Sequence, residues 1–371
     1  MGLTISAILA AVTIGQPPPL SLEKTNERPD ITARFTRTDG WTGADGAYTV
    51  RLGTDRLVWL FSDTWIGKVE NGRRQDARMV NNTVGVQSLR DPRAPLQFFW
   101  GRDGDRTAAL LKPAEADRWY WLESGAVVGD QLYLFCKVVR RSERGRPGFQ
   151  FDWFGNDLLR IANPMDDPTA WKAERIALPT FDGMPRLGAA CVSDGEHLYV
   201  YGLFPDSQWK PLHRPLAVAR IALGALAKPQ AEAWEFWCRG TGAPRWSPKP
   251  DDLVPLFNDG APELSISRVR GVAGFVATYT PIGLGPDIAV RHALRPEGPW
   301  SAALNVYRAP NAGEKVFYYG AKAHPDLAER DGQLVITFCR NVGDLGEHMR
   351  RPDVYVPQGV EVILRPTPDR R

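Results

Sequence analysis

Residues Gly43 to Gly67 read GADGAYTVRLGTDRLVWLFSDTWIG. Two apolar runs, Ala47 to Leu52 and Leu57 to Phe61, flank the turn Gly53-Thr54-Asp55, which is the pattern of an antiparallel hairpin. Because the second strand of a hairpin returns to the level at which the first began, Asp45 and Asp63 share one rim. Trp41 and Trp65 stand close by in sequence. The stretch therefore presents two acids beside aromatic rings, and the same hairpin pattern recurs along the chain.

Aligned on the middle of the second strand, five hairpins centre on Trp59 (LVWLF), Tyr133 (LYLF), Tyr199 (LYVY), Val276 (FVATY) and Val335 (LVITF), at spacings of 74, 66, 77 and 59 residues. A third strand follows each, near Val84, Leu159, Val218, Ala289 and Glu361. Five such units, each of three or four short strands with turn residues between them, predict an all-β chain folded as a five-bladed β-propeller. Fourth strands are legible as LQFFW, WKAERIAL, AWEFW and WSAALNVY, and the last unit has none of its own. The alternating segment Asp30 to Thr38 (DITARFTRT) has no hairpin partner nearby. It is expected to fill the empty place in the last blade, closing the ring and leaving no bare edge. The resulting organisation is a signal-like or disordered segment over 1–28 and one propeller domain over 29–371.

A chain of 371 residues with 43% apolar and 24% charged residues can bury a large core. Forty-six basic against 43 acidic side chains leave a formal charge of +3. That surplus is too small to argue for nucleic acid or an anionic membrane as partner, and a polyanionic substrate is not expected. The 35 Gly, 31 Pro and 13 Trp point to many tight turns and a surface or cleft rich in flat rings. Cys136, Cys191, Cys238 and Cys339 lie far apart without metal-ligand spacing and read as small buried hydrophobes. The run Leu3 to Ile14 is too short to span a bilayer as a helix but suits the apolar region of a secretory signal, although no basic residue precedes it. The expectation is a secreted or envelope-associated protein, with a cytoplasmic chain carrying a loose N-terminal tail as the alternative. No other stretch is expected to cross a membrane, and a monomer is expected.

In a propeller the first strand of each blade lines the central channel, so residues at the starts of those strands converge on one mouth. The five starts supply Asp45, Glu123, Arg186, Glu263 and the stretch Tyr318 to His324, which includes Tyr319. Carboxylates facing one another in a polar cleft are what glycoside hydrolysis requires, because one acid protonates the leaving oxygen while another activates water or attacks the sugar. Crowding would split their proton affinities between the two roles. Trp41, Trp65, Trp119 and Trp121 sit beside these acids and could stack on sugar faces. Asp45, Asp63, Glu123 and Glu263 are thus the candidate catalytic residues. Trp41, Trp65, Trp121, Arg186, Tyr319 and His324 are the candidate substrate contacts.

Each residue also has a structural alternative. Asp45 could cap a tight turn, Asp63 could hold its own loop through Thr64, and Glu123 and Glu263 could form rim salt bridges with arginines. Arg186 could bind hydroxyls or pair with Glu263, and His324 could be a buried structural histidine. Asn81-Asn82-Thr83 matches a glycosylation sequon but falls at a strand start, where amides commonly bond to backbone. Nucleophile-elbow, phosphate-loop, HExxH and dinucleotide-binding patterns do not occur, which disfavours esterase, NTPase, zincin and dehydrogenase chemistry. Carbohydrate binding without catalysis is the rival expectation, and a protein-interaction propeller is a third.

The strings GADGAYTVRL, LVWLFSDTWIG, MVNNTVGVQ, DIAVRHALRPEGPWS and YYGAKAHPDL resemble bacterial DUF 4185-like proteins and related propellers, over roughly Gly40 to Leu364. Some members of that group are endo-D-arabinanases acting on mycobacterial cell-wall arabinan. The resemblance implies a five-bladed propeller glycosidase, similar in architecture to the arabinanase and β-xylosidase clan. In that clan an acid at the start of blade one serves as base or nucleophile, a place that Asp45 matches. Asp63 matches the aspartate of the FSDT motif, while Glu123 and Glu263 rest on blade position. No cofactor is required for such chemistry. The clan's occasional calcium or similar ion in the channel would make His324 its neighbour.

Overall fold

The inner strands of five antiparallel sheets abut one another in sequence around a central channel, and the last of them abuts the first. This is the arrangement in a computed structural model that describes residues 17–367 apart from 92–93, 145–149, 206–211, 312 and 314. The first blade runs outward from Asp39–Leu52 through Arg56–Glu70 and Thr83–Ser88 to Gln97–Phe99. An extra strand, Arg73–Val80, pairs with the C-terminal half of Arg56–Glu70. The second blade comprises Arg118–Val128, Gln131–Arg141, Phe151–Ile161 and Ala173–Ile176. In the third, Arg186–Ser193, His197–Leu203, Leu216–Ala222 and Trp234–Cys238 are followed by a fifth strand, Arg245–Ser247. The fourth comprises Leu264–Val269, Val272–Tyr279, Asp287–Ala293 and Leu304–Arg308.

The fifth blade takes Val316–Ala323, Gln333–Val342 and Pro357–Pro366 from the C-terminal part of the chain and its outer strand, Leu20–Glu27, from the N-terminal part. Closure by an N-terminal strand is as expected, but the strand is not Asp30 to Thr38. Leu20 pairs with Pro366 and Glu27 with Val360, so the closing strand lies within the stretch read from sequence as a loose lead-in. Residues Pro29–Arg34 form a short helix instead. Pro29 stands in its first turn, where the missing N–H costs nothing. Ile31 and Phe35, four residues apart, both turn into the seam between the first and last blades. The alternation Ile31, Ala33, Phe35 imitates strand periodicity, whereas the true outer strand is mostly solvated and shows no apolar alternation. The signal-like run over residues 3–14 lies outside the described residues.

Each of the five seams between neighbouring blades holds one apolar cluster, built from alternate residues of the facing sheets. The seam between blades one and two, for example, packs Val50, Val58 and Leu60 against Leu122, Leu132 and Leu134. Among the described residues no helix is long and apolar enough to cross a membrane.

Around the closing strand, Glu361 is buried and accepts hydrogen bonds from Asn26 (2.9 Å), Arg28 (2.9 Å), Gln333 (2.8 Å) and Arg330 (3.1 Å). One carboxylate thus ties the outer strand to the two strands inside it. Replacing it leaves several donors without an acceptor, so Glu361→Ala is expected to cost about 3 kcal/mol of stability. A chemical-denaturation midpoint measures this, and an unchanged midpoint would detach the clamp from ring closure.

Candidate active site

A cleft of about 490 Å³ opens at one mouth of the channel, and all four predicted carboxylates line it. β-Bulges in the inner strands help to aim them. In blade one the pairing slips between Ala44 and Gly46, whose partners are Thr64 and Phe61, so that Asp45 sits opposite Ser62 and Asp63. Gly46 has a φ of 87°, and a Cβ there would lie 2.9 Å from the Ser62 nitrogen, so glycine suits the bulge for both reasons. In blade two the slip sets Glu123 and Ser124 against Phe135. In blade five it sets Gly320 and Ala321 against Phe338, which brings Lys322 to the channel. Glu263 stands just before its strand, as read from sequence.

Four carboxyl groups share this space with two ammonium groups. Lys137 Nζ lies 3.0 Å from Glu123 Oε1, and Asn156 donates to Glu123 Oε2 at 3.0 Å. Lys322 Nζ donates to Glu263 Oε2 at 2.6 Å and to the Gly320 carbonyl at 2.8 Å. Each ammonium also lies against an aromatic face, Trp153 for Lys137 and Tyr48 for Lys322, at 4.5 and 4.4 Å from the ring centroids. Both glutamates are therefore ion-paired, with lysines rather than the arginines considered from sequence.

Among the described residues neither aspartate has a cationic partner. Asp45 accepts a hydrogen bond from the Tyr319 hydroxyl at Oδ2 (2.8 Å), while among the described residues no donor meets its buried Oδ1 in good hydrogen-bond geometry, although the Tyr355 hydroxyl is close enough to favour the ionised form. Burial, followed by the negative charges of Glu263 and Asp63, pushes its pKa up to about 8 against the pull of Tyr319 and Tyr355. Asp63 Oδ1 accepts from Trp121 Nε1 (2.8 Å) and Asn81 Nδ2 (3.2 Å). Burial raises its pKa to about 6, less than for Asp45 because those two donors favour the ionised form. Burial also raises Glu123, and Lys137 opposes that rise. At neutral pH the aspartates thus hold about one proton between them, mainly on Asp45.

Of the predicted substrate contacts, Trp121 and Tyr319 line the cleft. Trp41 does not: it is buried in the seam between blades one and five, stacked on Phe98, with its Nε1 donating to Thr83. Trp65 is buried behind the wall, where Nε1 donates to His348 Nδ1 at 3.1 Å. Arg186 does not line the cleft either. Its guanidinium lies over the Trp153 ring at 4.5 Å and donates to the Trp153 carbonyl at 3.0 Å. His324 is fully buried between the Thr49 and Thr337 hydroxyls at 2.9 and 2.7 Å. Burial, with Lys322 close by, lowers its pKa to about 3. With both ring nitrogens engaged it offers nothing to an ion, and among the described residues no three His, Cys, Asp or Glu side chains group as a metal site. Short apolar spacings place a ring near an acid in sequence, but alternation decides which side of the sheet it faces.

Sequence reading missed Lys137 and Lys322. Each sits inside an apolar strand run, LYLFCKVV and YYGAKAH, and a lysine so placed needs a buried partner. It also missed an insert in blade five between Gln333–Val342 and Pro357–Pro366, which carries the short helix Leu345–Arg350. From this insert Leu345, His348 and Tyr355 reach the cleft. His348 Nε2 lies 2.7 Å from Asn341 Oδ1, and Asn341 Nδ2 donates to the Tyr319 hydroxyl at 3.0 Å, so a hydrogen-bonded chain runs from Trp65 to Asp45. The buried Arg74 fastens the insert to blade one by donating to the carbonyls of Thr42 (2.7 Å), Pro352 (3.1 Å) and Val354 (3.1 Å). A second cavity of about 590 Å³ shares Asp63, Met79, Trp121 and Phe151 with the first and adds Trp119, Arg118, Arg140 and Arg141. The two cavities adjoin at these shared residues.

The profile of a family described as a domain of unknown function, DUF5005, matches residues 30–363. No curated protein sequence matches the chain. Among solved structures, a Bacteroides ovatus protein of suspected hydrolase activity is similar with a TM-score of 0.73 and 18% identity, over 91% of this chain and 90% of its own. A GH32 β-fructofuranosidase from Bombyx mori is similar at a TM-score of 0.47 and 13% identity, over 92% of this chain and 68% of its own. The endo-arabinase from Bacteroides thetaiotaomicron gives a TM-score of 0.40 and 13% identity, over 89% and 96%. The first of these likenesses establishes the shared propeller fold.

The aspartate electrostatics have a consequence that needs no substrate. Asp45 has a pKa near 8 when folded against an ordinary 3.8, so its contribution to stability is complete below pH 3.8 and is lost as pH rises through 8. Asp45→Asn, which cannot ionise, is therefore expected to raise the thermal midpoint relative to the native protein at pH 9. The gain should shrink towards pH 5, and melting curves at the two values check it.

Proposed function

The chain belongs to the DUF5005 family, a domain of unknown function, and from its site we propose that it is a glycoside hydrolase cleaving a polysaccharide or oligosaccharide by paired-carboxylate catalysis. The observation that carries this reading is a pair of cation-free buried aspartates whose proton affinities differ, about 8 for Asp45 and about 6 for Asp63, in a sugar-sized cleft. Asp45, protonated at neutral pH, donates its proton to the leaving glycosidic oxygen. Asp63, largely ionised, activates water or attacks the sugar. The resemblance to the arabinanase clan gives the base or nucleophile role to Asp45, whereas the electrostatics of this site favour the reverse assignment. Glu263 keeps the Asp45 proton in place through its own negative charge, and Lys322 holds Glu263. Glu123, held by Lys137, lines the same cleft, and Glu263 is the tuning group in this reading.

Trp121 lines the cleft beside Asp63 and supplies a flat face on which a sugar ring stacks. The groove continues from Asp63 past Trp121 towards Trp119, a length that suits several sugar units in a row and hence attack within a chain. The finer reading of an arabinan substrate rests on the motif resemblance to DUF 4185-like proteins. Action outside the cytoplasm rests on the signal-like run near the N-terminus. The ion pairs on Glu123 and Glu263 favour a second reading, a propeller that binds carbohydrate without cleaving it.

Hydrolysis of a polysaccharide panel, followed by product lengths, separates the two. On a cleaved substrate, kcat/KM is expected to follow a bell with limbs near pH 6 and pH 8, from ionisation of Asp63 on the acid side and loss of the Asp45 proton on the alkaline side. Asp45→Asn and Asp63→Asn should each lower it by roughly 10²–10⁴-fold. Full activity in both variants would overturn the assignment, and binding without cleavage across the panel would favour the second reading.

A further inference from the structure

Arg214 lines the catalytic cleft, with its guanidinium beside Gly283 and Pro262. Its backbone is fixed, since its N–H donates to the Asn258 carbonyl at 2.8 Å and its carbonyl accepts from Gly260 at 2.9 Å. Among the described residues, by contrast, no acceptor meets the guanidinium. Its Nε is buried without a hydrogen-bond partner, and no salt bridge reaches the side chain among the described residues. Lys137, which lines the same cleft, and Lys322, which stands behind Glu263, are each matched to a glutamate. Burial lowers the pKa of Arg214. A buried donor left open in a functional cleft wants an acceptor, and a planar guanidinium favours a two-oxygen anion.

The far end of the groove repeats the sign. Arg118, Arg140 and Arg141 line the second cavity next to Trp119 and Trp121. Arg118 is loosely paired with Glu115 at 3.6 Å and Asp117 at 3.8 Å. Among the described residues Arg140 and Arg141 have no ion pair. Cations therefore stand on both flanks of the carboxylate pair, although the whole chain is nearly neutral.

We propose that the groove takes an acidic polysaccharide, and that Arg214 receives the anionic substituent, a carboxylate or a sulfate ester, of a sugar unit bound beside the catalytic pair. This rests on the glycosidase reading for where the sugar lies, but not on cleavage. The net charge of the chain gives no sign of such a ligand, because the acids that balance these arginines are spread over the rest of the surface.

The test is calorimetric binding to the full chain of matched oligosaccharides: uronate-bearing trimers, their carboxyl-reduced neutral forms, and sulfated forms of the same neutral trimers. At least one anionic trimer is expected to bind tenfold or more tightly than its neutral counterpart, with the advantage falling as salt rises. Whether the uronate or the sulfate is preferred identifies the substituent. In Arg214→Gln the preference should fall by roughly tenfold to a hundredfold, and Arg214→Lys should keep part of it. A melting curve should show Arg214→Gln at least as stable as the native protein, since it removes an uncompensated charge. The proposal is overturned if no anionic trimer outcompetes its neutral form, or if Arg214→Gln weakens both alike. Cleavage of neutral sugars without any anionic preference would remove this inference and leave the hydrolase reading standing. Anionic preference without cleavage would do the reverse.

Discussion

Closure of the ring by a strand from the far end of the chain is the constraint on which the rest of the structure depends. Leu20–Glu27 lies along Pro357–Pro366, and the inner strands of the five blades then abut one another all the way round. A propeller with an open seam would leave a row of unpaired backbone groups at one edge and apolar surface on two sheets. Closing it fixes how far every inner strand stands from the axis. Only then do acids more than two hundred residues apart in sequence, Asp45 and Glu263, meet in one cleft. The bulges complete the placement, because each adds a residue where the strand passes the channel mouth.

Electrostatics inside that cleft follow from a mismatch between four carboxyl groups and two ammonium groups. The lysines go to the glutamates, which leaves the aspartates to settle their charge with hydrogen bonds and a shared proton. Asp63 has two N–H donors and gives up its proton more readily, while Asp45 has an oxygen that no donor meets in good geometry among the described residues, and two negative neighbours. Difference in environment, not in residue type, is what separates two identical side chains into an acid and a base in the proposed mechanism. The blade-five insert takes part through Tyr319, Asn341 and His348. It is held over blade one by Arg74, whose buried guanidinium is spread over backbone carbonyls in place of a carboxylate. Burial lowers the pKa of Arg74 to about 10, so the staple stays charged at neutral pH.

Arg214 is the counterpart of that balance. While each lysine of the site is paired with a glutamate, one guanidinium in the cleft has no ion pair among the described residues, and the adjoining cavity is lined by three more. In the proposed reading these cations belong to the ligand. Bulk charge is a poor guide to such an arrangement, since attraction between charges is screened over about 8 Å at physiological ionic strength. What a sugar meets is the local groove.

The period of the hairpins, their turn residues and the alternation within strands determined the five blades, their inner strands, and the convergence of Asp45, Glu123 and Glu263 from the inner strands with Asp63 from the return strand of the first hairpin. These features are local or repeated, so they are legible in sequence order. Tertiary structure alone decided which rings face the cleft, because Trp41 and Trp65 are as close to the acids in sequence as Trp121 but are turned into a seam and behind the wall. It also decided the closing strand: Leu20–Glu27 has little apolar patterning to announce it and is recognised only by the partner it finds 340 residues away. Lys137 meets Glu123 from the next strand of blade two, Lys322 meets Glu263 from the neighbouring blade, and Arg214 enters the cleft from the connection before the third strand of blade three. Such contacts carry no period, and nothing in the order of residues along the chain records them.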